Sequence, residues 1–142
     1  MTDESPQAVT VRQAEPRDVL PLDEFIKPFV EQKVLLHRTI DEMEDLIKHG
    51  FLAEIEGKIV GFAALEVYSS KLGEIRSLAV LDGYQGRGIG KKLVQACIAR
   101  AQERNVLEVM AITSSEAFFK TCGFDFTLPG EKKALFLQTR EL

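Results

Sequence analysis

The segment Gln85-Gly86-Arg87-Gly88-Ile89-Gly90-Lys91 constrains this 142-residue chain more than any other. Upstream of it, residues 72–81 read as a strand. Downstream, Ile89, Leu93, Cys97 and Ala101 recur every four residues, which predicts an amphipathic helix over 88–104. A strand therefore feeds a glycine-rich loop, and the loop opens a helix. Glycines let the backbone come close to a ligand. The first N–H groups of a helix have no internal partner, and with the helix dipole they attract anions. Arg87, Lys91 and Lys92 add positive charge nearby. A phosphate or pyrophosphate suits this chemistry.

Two familiar phosphate loops are excluded by spacing. The GxxxxGK[ST] pattern fails because Gln85 stands five residues before Gly90 and Lys92 follows Lys91. The GxGxxG fingerprint fails because its third glycine would fall on Lys91. The rest of the chain supplies the setting. Strands are predicted over 9–12, 51–56, 59–68, 106–113, 124–127 and 133–138, in addition to 72–81. Helices are predicted over 16–32, 39–50 and 114–121, in addition to 88–104. Pro21 and Pro28 are expected to break the first helix into two pieces. Thr39 with Glu42 forms a capping box for the second, and Gly50 is the expected glycine at its end. This order predicts an α/β (α+β) fold, a mixed central sheet of about seven strands flanked by helices. Residues 1–8 read as a disordered tail and 9–142 as one domain.

Composition narrows the function classes. Lys plus Arg number 18 and Asp plus Glu 22, a net charge of −4, which argues against a dedicated nucleic-acid binder. Residues 1–56 hold 6 basic and 13 acidic groups, whereas 57–142 hold 12 and 9, so an anionic ligand is better served by the second half. Cys97 and Cys122 are 25 positions apart, with neither histidine at zinc-ligand spacing, so no metal is expected. The polar start and the lack of a long apolar run predict a cytoplasmic protein without a membrane partner.

Gln85-x-x-Gly88-x-Gly90, preceded by Leu78-Ala79-Val80, resembles the acetyl-CoA signature of the GNAT superfamily of N-acetyltransferases. Phe118-Phe119-Lys120-Thr121-Cys122-Gly123-Phe124 resembles the short helix ending in Gly-Phe of the same superfamily. The element order fits that fold over about residues 9–139. Within it, Leu35-Leu36-His37-Arg38-Thr39, Glu74-Ile75-Arg76-Ser77-Leu78-Ala79-Val80, and Phe118-Phe119 with Leu128-Pro129 resemble amino-acid acetyltransferases of the N-acetylglutamate synthase type.

The resemblance implies an enzyme moving an acetyl group from the co-substrate acetyl-CoA to a small-molecule primary amine, such as the α-amino group of glutamate. It implies that Gln85, Gly86, Arg87, Gly88, Ile89, Gly90 and Lys91 hold the pyrophosphate, backbone amides from Arg87 to Lys91 foremost. It implies that Leu78, Ala79 and Val80 pair with the pantetheine arm, with a strand bulge opening the slot, and that Ser115 and Phe119 sit against the cofactor. Glu74 is the expected base. Arg38 is the expected partner of a substrate carboxylate, with Arg76 and Lys33 behind it, because arginine can grip a carboxylate through two parallel N–H bonds. Many members carry a tyrosine where this chain has Phe119, so the general acid has no obvious bearer. Members are often homodimers, although the sequence carries no interface signal. Two alternatives stand: an acceptor that is a polyamine, an aminoglycoside or a protein amine, and a non-catalytic acetyl-CoA-binding regulatory module.

Overall fold

Apolar side chains on both faces of three consecutive strands, buried without a break from Val60 to Leu65, build the centre of the molecule. The structure, a computed structural model, describes residues 8–126, 135–137 and 139. Its elements run β1 (Thr10–Gln13), a 3-10 turn (Pro16–Asp18), α1 (Val19–Glu31), α2 (Ile40–Ile47), β2 (Gly50–Ile55), β3 (Lys58–Val67), β4 (Leu72–Val80), α3 (Ile89–Glu103), β5 (Glu108–Met110) and α4 (Glu116–Thr121). The sheet has the order β1-β2-β3-β4-β5, antiparallel throughout except for the parallel β4–β5 pair.

Successive side chains of a strand point to opposite faces. Leu52, Phe62 and Ala64 thus join Leu22, Phe25, Ile26, Phe29, Met43 and Leu46 of α1 and α2 on one face. Ala53, Val60, Ala63 and Leu65 join Ile89, Leu93, Val94 and Cys97 of α3 on the other. The sheet is therefore sandwiched between α1–α2 and α3.

Several expectations are corrected. The sheet has five strands among the described residues rather than seven. Residues 124–126 and 135–137 are not strands, and the remainder of those two predicted segments, like residues 1–7 of the predicted tail, lies outside the described residues. The predicted strand 106–113 is reduced to Glu108–Met110, the stretch that can still reach β4. The first helix is not broken at its prolines. Pro21 lies in the first turn of α1, where its missing N–H would have no helical partner anyway. Pro28 removes one bond within a turn of the helix end. The capping box forms as expected, with Glu42 N donating to Thr39 Oγ1 at 3.2 Å and Thr39 N to Glu42 Oε1 at 3.1 Å. Gly50, however, opens β2 rather than ending α2. A Cβ there would stand 2.5 Å from the Phe62 ring, so the residue is small because an aromatic ring packs on its backbone. No helix among the described residues is long and apolar enough to cross a membrane.

One charged group ties the first elements to the sheet. The Arg12 guanidinium on β1 donates to both oxygens of the buried Asp18 at 2.8 Å, and its Nε donates to Glu54 on β2. Asp18 also accepts from Glu15 N at 2.7 Å. The Arg12 bonds, followed by the Glu15 bond, outweigh burial and hold the Asp18 carboxyl below its ordinary value. A carboxyl whose folded value is lowered contributes stability that is present above the unfolded value and is lost as pH falls through the folded one. Asp18→Asn is expected to cost about 1.5–3 kcal/mol at pH 7. Denaturant unfolding at pH 7 and in mild acid checks this: the gap between wild type and variant should narrow as pH drops below the carboxylate range.

Candidate functional site

β4 and β5 run together for only three residue pairs, Leu72↔Glu108, Gly73↔Val109 and Glu74↔Met110. After Glu74 they part. Residues 75–80 of β4 have no β5 partner, so that edge of the strand faces a cleft instead of a neighbour. A bulge lies in the same stretch. Ala64 faces Arg76 and Phe62 faces Ala79, so the single residue Ala63 is spanned by both Ser77 and Leu78. Ser77 takes a left-handed backbone, φ +57°. The extra residue shifts the side-chain alternation, so that Glu74, Arg76 and Ala79 all share the face covered by α1 and α2.

The cleft measures about 830 Å³, at the upper end of small-molecule sites. One wall is Leu78, Ala79 and Val80. One end is the loop containing Gln85, Gly86, Gly88, Ile89, Gly90 and Lys91, and the opposite wall holds Ser115 and Phe119. The far end holds Glu74, Arg76 and Arg38. Nearly all the residues expected at the site thus converge on one cavity. Gly88 is the N-cap of α3 with φ +78°, and Gly86 has φ +79°. Space is open around the Cβ position of each. The free first N–H groups of α3 therefore meet a bare backbone cradle, which suits an anionic group such as a pyrophosphate. Gly90 has a different reason to be glycine: a Cβ there would come within 3.3 Å of the Phe118 ring across the cleft mouth.

Two expected residues stand elsewhere. The Arg87 side chain is not on the cleft wall; its guanidinium lies 5.0 Å from the centre of the Tyr84 ring, with Lys58 Nζ at 5.4 Å. Lys33 is exposed and away from the cleft, because the chain coils at the end of α1, where Val34 N and Leu35 N both donate to Phe29 O. Ser115, read as a helix cap as well as a cleft residue, occupies the N-cap position of α4 without a side-chain cap bond. Cys122, the other thiol near the second motif, is half-buried and does not line the cleft.

The far end is electrostatically organised. Arg76 Nη1 donates to Glu66 Oε2 at 2.7 Å, which raises the Arg76 value. Arg38 has no carboxylate partner among the described residues; Nη2 reaches only the Ser77 hydroxyl, at 3.4 Å. Burial, then the neighbouring Arg76 charge, lowers the Arg38 value. A half-buried guanidinium short of a counter-charge is prepared for an anion. Glu74, 9% exposed, accepts from the Tyr68 hydroxyl at 2.5 Å.

Glu66 and Tyr68 were missed by the sequence reading. The signal was present: strands at 59–68 and 72–81 closed by a short turn set Glu66 opposite Glu74, and the register bears this out. A second cavity of about 320 Å³ adjoins the far end, sharing Arg38 and Arg76 and lined also by Asp41, Asp45, Glu66 and His49.

The sequence model of the acetyltransferase (GNAT) family matches residues 17–124. An uncharacterized N-acetyltransferase of Chlorobaculum tepidum is 33% identical over 114 residues, 80% of this chain and 74% of that protein. An amino-acid acetyltransferase of Neisseria meningitidis is 32% identical over 118 residues, 82% of this chain but 27% of its own length. Among solved structures, N-acetylglutamate synthase from Neisseria gonorrhoeae, complexed with coenzyme A and N-acetyl-glutamate, superposes with a TM-score of 0.73. It is 29% identical and covers 82% of this chain and 28% of its own.

Charge and backbone shape can be separated at the loop. Asn and Asp tolerate a left-handed backbone about equally, but only Asp brings a carboxylate to the anion site. Gly88→Asp is expected to weaken acetyl-CoA binding at least about 100-fold more than Gly88→Asn, on the scale of a like charge set against a phosphate at short range. Titration calorimetry of the two variants reads the difference directly.

Proposed function

Because the chain belongs to the acetyltransferase (GNAT) family, a family that draws on acetyl-CoA, we propose that it transfers the acetyl group to the α-amino group of an amino acid whose carboxylate is gripped by Arg38. The observation that carries this reading is the cleft itself. Its glycine loop and its pair Glu74–Arg38 stand at opposite ends of one slot, and the unpaired edge of β4 runs between them.

The chemistry follows from that arrangement. The N–H groups from Gly86 to Lys91 hold the pyrophosphate at the start of α3. Leu78 to Val80 offer backbone groups that no β5 strand occupies, and the pantetheine amides pair with them as a short strand. A backbone N–H at Leu78 or Ala79 polarises the thioester carbonyl as negative charge develops on its oxygen. Arg38, with Arg76 beside it, fixes the acceptor carboxylate. Glu74 takes a proton from the ammonium group, directly or through one water, and the freed nitrogen attacks the carbonyl carbon. The attack forms the C–N bond; as the tetrahedral intermediate collapses, the C–S bond breaks, the sulfur carries away the electron pair, and the nitrogen loses its second proton to water. No acidic side chain stands at Phe119, so the thiolate takes its proton from water. The amino-acid acceptor is also favoured by the similarity to the Neisseria relatives.

A second acceptor class is favoured by one observation. Asp41, Asp45 and Glu66 line the adjoining cavity, which suits a cationic amine such as a polyamine or an aminoglycoside. Release of free CoA with glutamate, other amino acids, spermidine and an aminoglycoside, each tested separately, distinguishes the two. Turnover with amino acids is the expected result. Glu74→Gln is expected to lower kcat about 10²–10⁴-fold, the usual range for loss of a positioned base. Arg38→Ala is expected to raise KM for the amino acid about 10-fold or more, on the scale of a lost charged hydrogen bond, with KM for acetyl-CoA unchanged. Steady-state kinetics that show the Arg38→Ala effect on acetyl-CoA instead would remove the acceptor assignment.

A further inference from the structure

The Tyr68 hydroxyl lies outside the cleft wall yet makes the shortest contact of any hydroxyl with the proposed base, donating to Glu74 Oε1 at 2.5 Å. We propose that Tyr68 is a positioning residue that locks the Glu74 carboxylate so that its other oxygen faces the acceptor amine. This inference rests on the reading of Glu74 as the base.

Four groups share this patch of the sheet. Glu66 and Glu74 face each other across β3 and β4, two like charges on one surface. Arg76 Nη1 is committed to Glu66 Oε2 at 2.7 Å. The Tyr68 hydroxyl carries one proton and lies 3.5 Å from Glu66 but 2.5 Å from Glu74. One proton serves one short bond, so the division is settled by distance: Arg76 neutralises Glu66, and Tyr68 is left to Glu74. Glu74 has no other side-chain partner among the described residues, so without Tyr68 its carboxylate would lose the one side-chain bond that sets its orientation.

The backbone fixes the donor. Tyr68 N donates to Leu72 O at 2.9 Å and Ser69 N to the same oxygen at 3.3 Å, closing the β3–β4 hairpin directly behind the ring. Although the residue as a whole is half exposed, the phenol is pushed up to about 12, first by desolvation and then by its bond to Glu74. The acceptor proton goes to the free oxygen of Glu74, and the Tyr68 O–H bond neither breaks nor forms in the cycle. Among the described residues, no other side chain bonds to Glu74.

Two measurements test the proposal, one of them independent of turnover. Tyr68→Phe should lower kcat about tenfold, the scale of one hydrogen bond to a charged group, with both KM values and the melting temperature unchanged. In a Glu74→Gln background the same substitution should have no further effect. If Glu74→Gln alone turns over like wild type, the base reading fails and Tyr68 has nothing to position. If Glu74→Gln is impaired while Tyr68→Phe matches wild type, or lowers kcat equally in both backgrounds, the base stands and the positioning role is overturned.

The second measurement is spectroscopic. The chain has no tryptophan and two tyrosines, so Tyr84→Phe leaves Tyr68 as the sole source of tyrosinate absorbance. At about pH 10.5, just above the ordinary tyrosine value, that protein should show little tyrosinate. Adding Glu74→Gln should let it develop at lower pH. Identical titration curves in the two proteins would overturn the contact.

Discussion

β4 cannot keep β5 beside it past Glu74, and the function proposed for this chain is organised by that failure. A parallel pair needs an unbroken, evenly spaced ladder. The left-handed Ser77 and the extra residue it inserts break the strand geometry just after the last pair, Glu74↔Met110. The consequence is a strand paired to β3 on one side except at the bulge, and without a β5 partner on the other side from residue 75 to 80. An exposed edge is ordinarily a liability that invites unwanted pairing. Here the edge lines a cleft between the start of α3 and the chain leading to α4.

The same bulge also decides where the side chains go. Without the extra residue, Arg76 and Ala79 would fall on opposite faces. With it, Glu74, Arg76 and Ala79 line up on the face covered by α1 and α2. Acidic and basic groups gather there in a sequence of commitments. Arg76 is spent on Glu66, and Glu74 accepts from Tyr68. Arg38, arriving from the α1–α2 connection, is left without an acid among the described residues. Partial burial makes such an arrangement costly unless a ligand supplies the missing charge. That cost is the physical reason to look for a carboxylate on the acceptor.

The parts of this molecule that were legible in the sequence are those that backbone conformation dictates. Gly86 and Gly88 announced a loop needing left-handed residues before a helix, and the regular apolar spacing from Ile89 to Ala101 announced the helix face. Thr39 with Glu42 announced a start that depends on two residues alone. Illegible were the features that depend on distant partners. Val106 to Thr113 reads as one long strand by composition, but only three of its residues have a strand within reach. Lys33 stands near Arg38 in the chain, but the turn closed on Phe29 O leaves it outside the cleft. Glu66 and Tyr68 needed the β3–β4 register, a relation between two segments that neither segment states alone.

The end of the cleft proposed to take the phosphates is made of main-chain N–H groups presented by the glycines and the start of α3. The proposed acceptor end is made of side chains from separate elements, Arg38 before α2 and Glu74 and Arg76 on β4; Glu66 of β3 and Asp41 and Asp45 of α2 line the adjoining cavity, and Tyr68 donates to Glu74. Under the proposed reading, the phosphate end rests on backbone geometry, whereas acceptor choice rests on side-chain charges. Arginine against carboxylate selects one class of amine, and the acids of α2 beside them would select another. Which of these charges remains unpaired when the cleft is empty is the physical question on which acceptor choice turns, and Arg38 is the group that the packing leaves waiting.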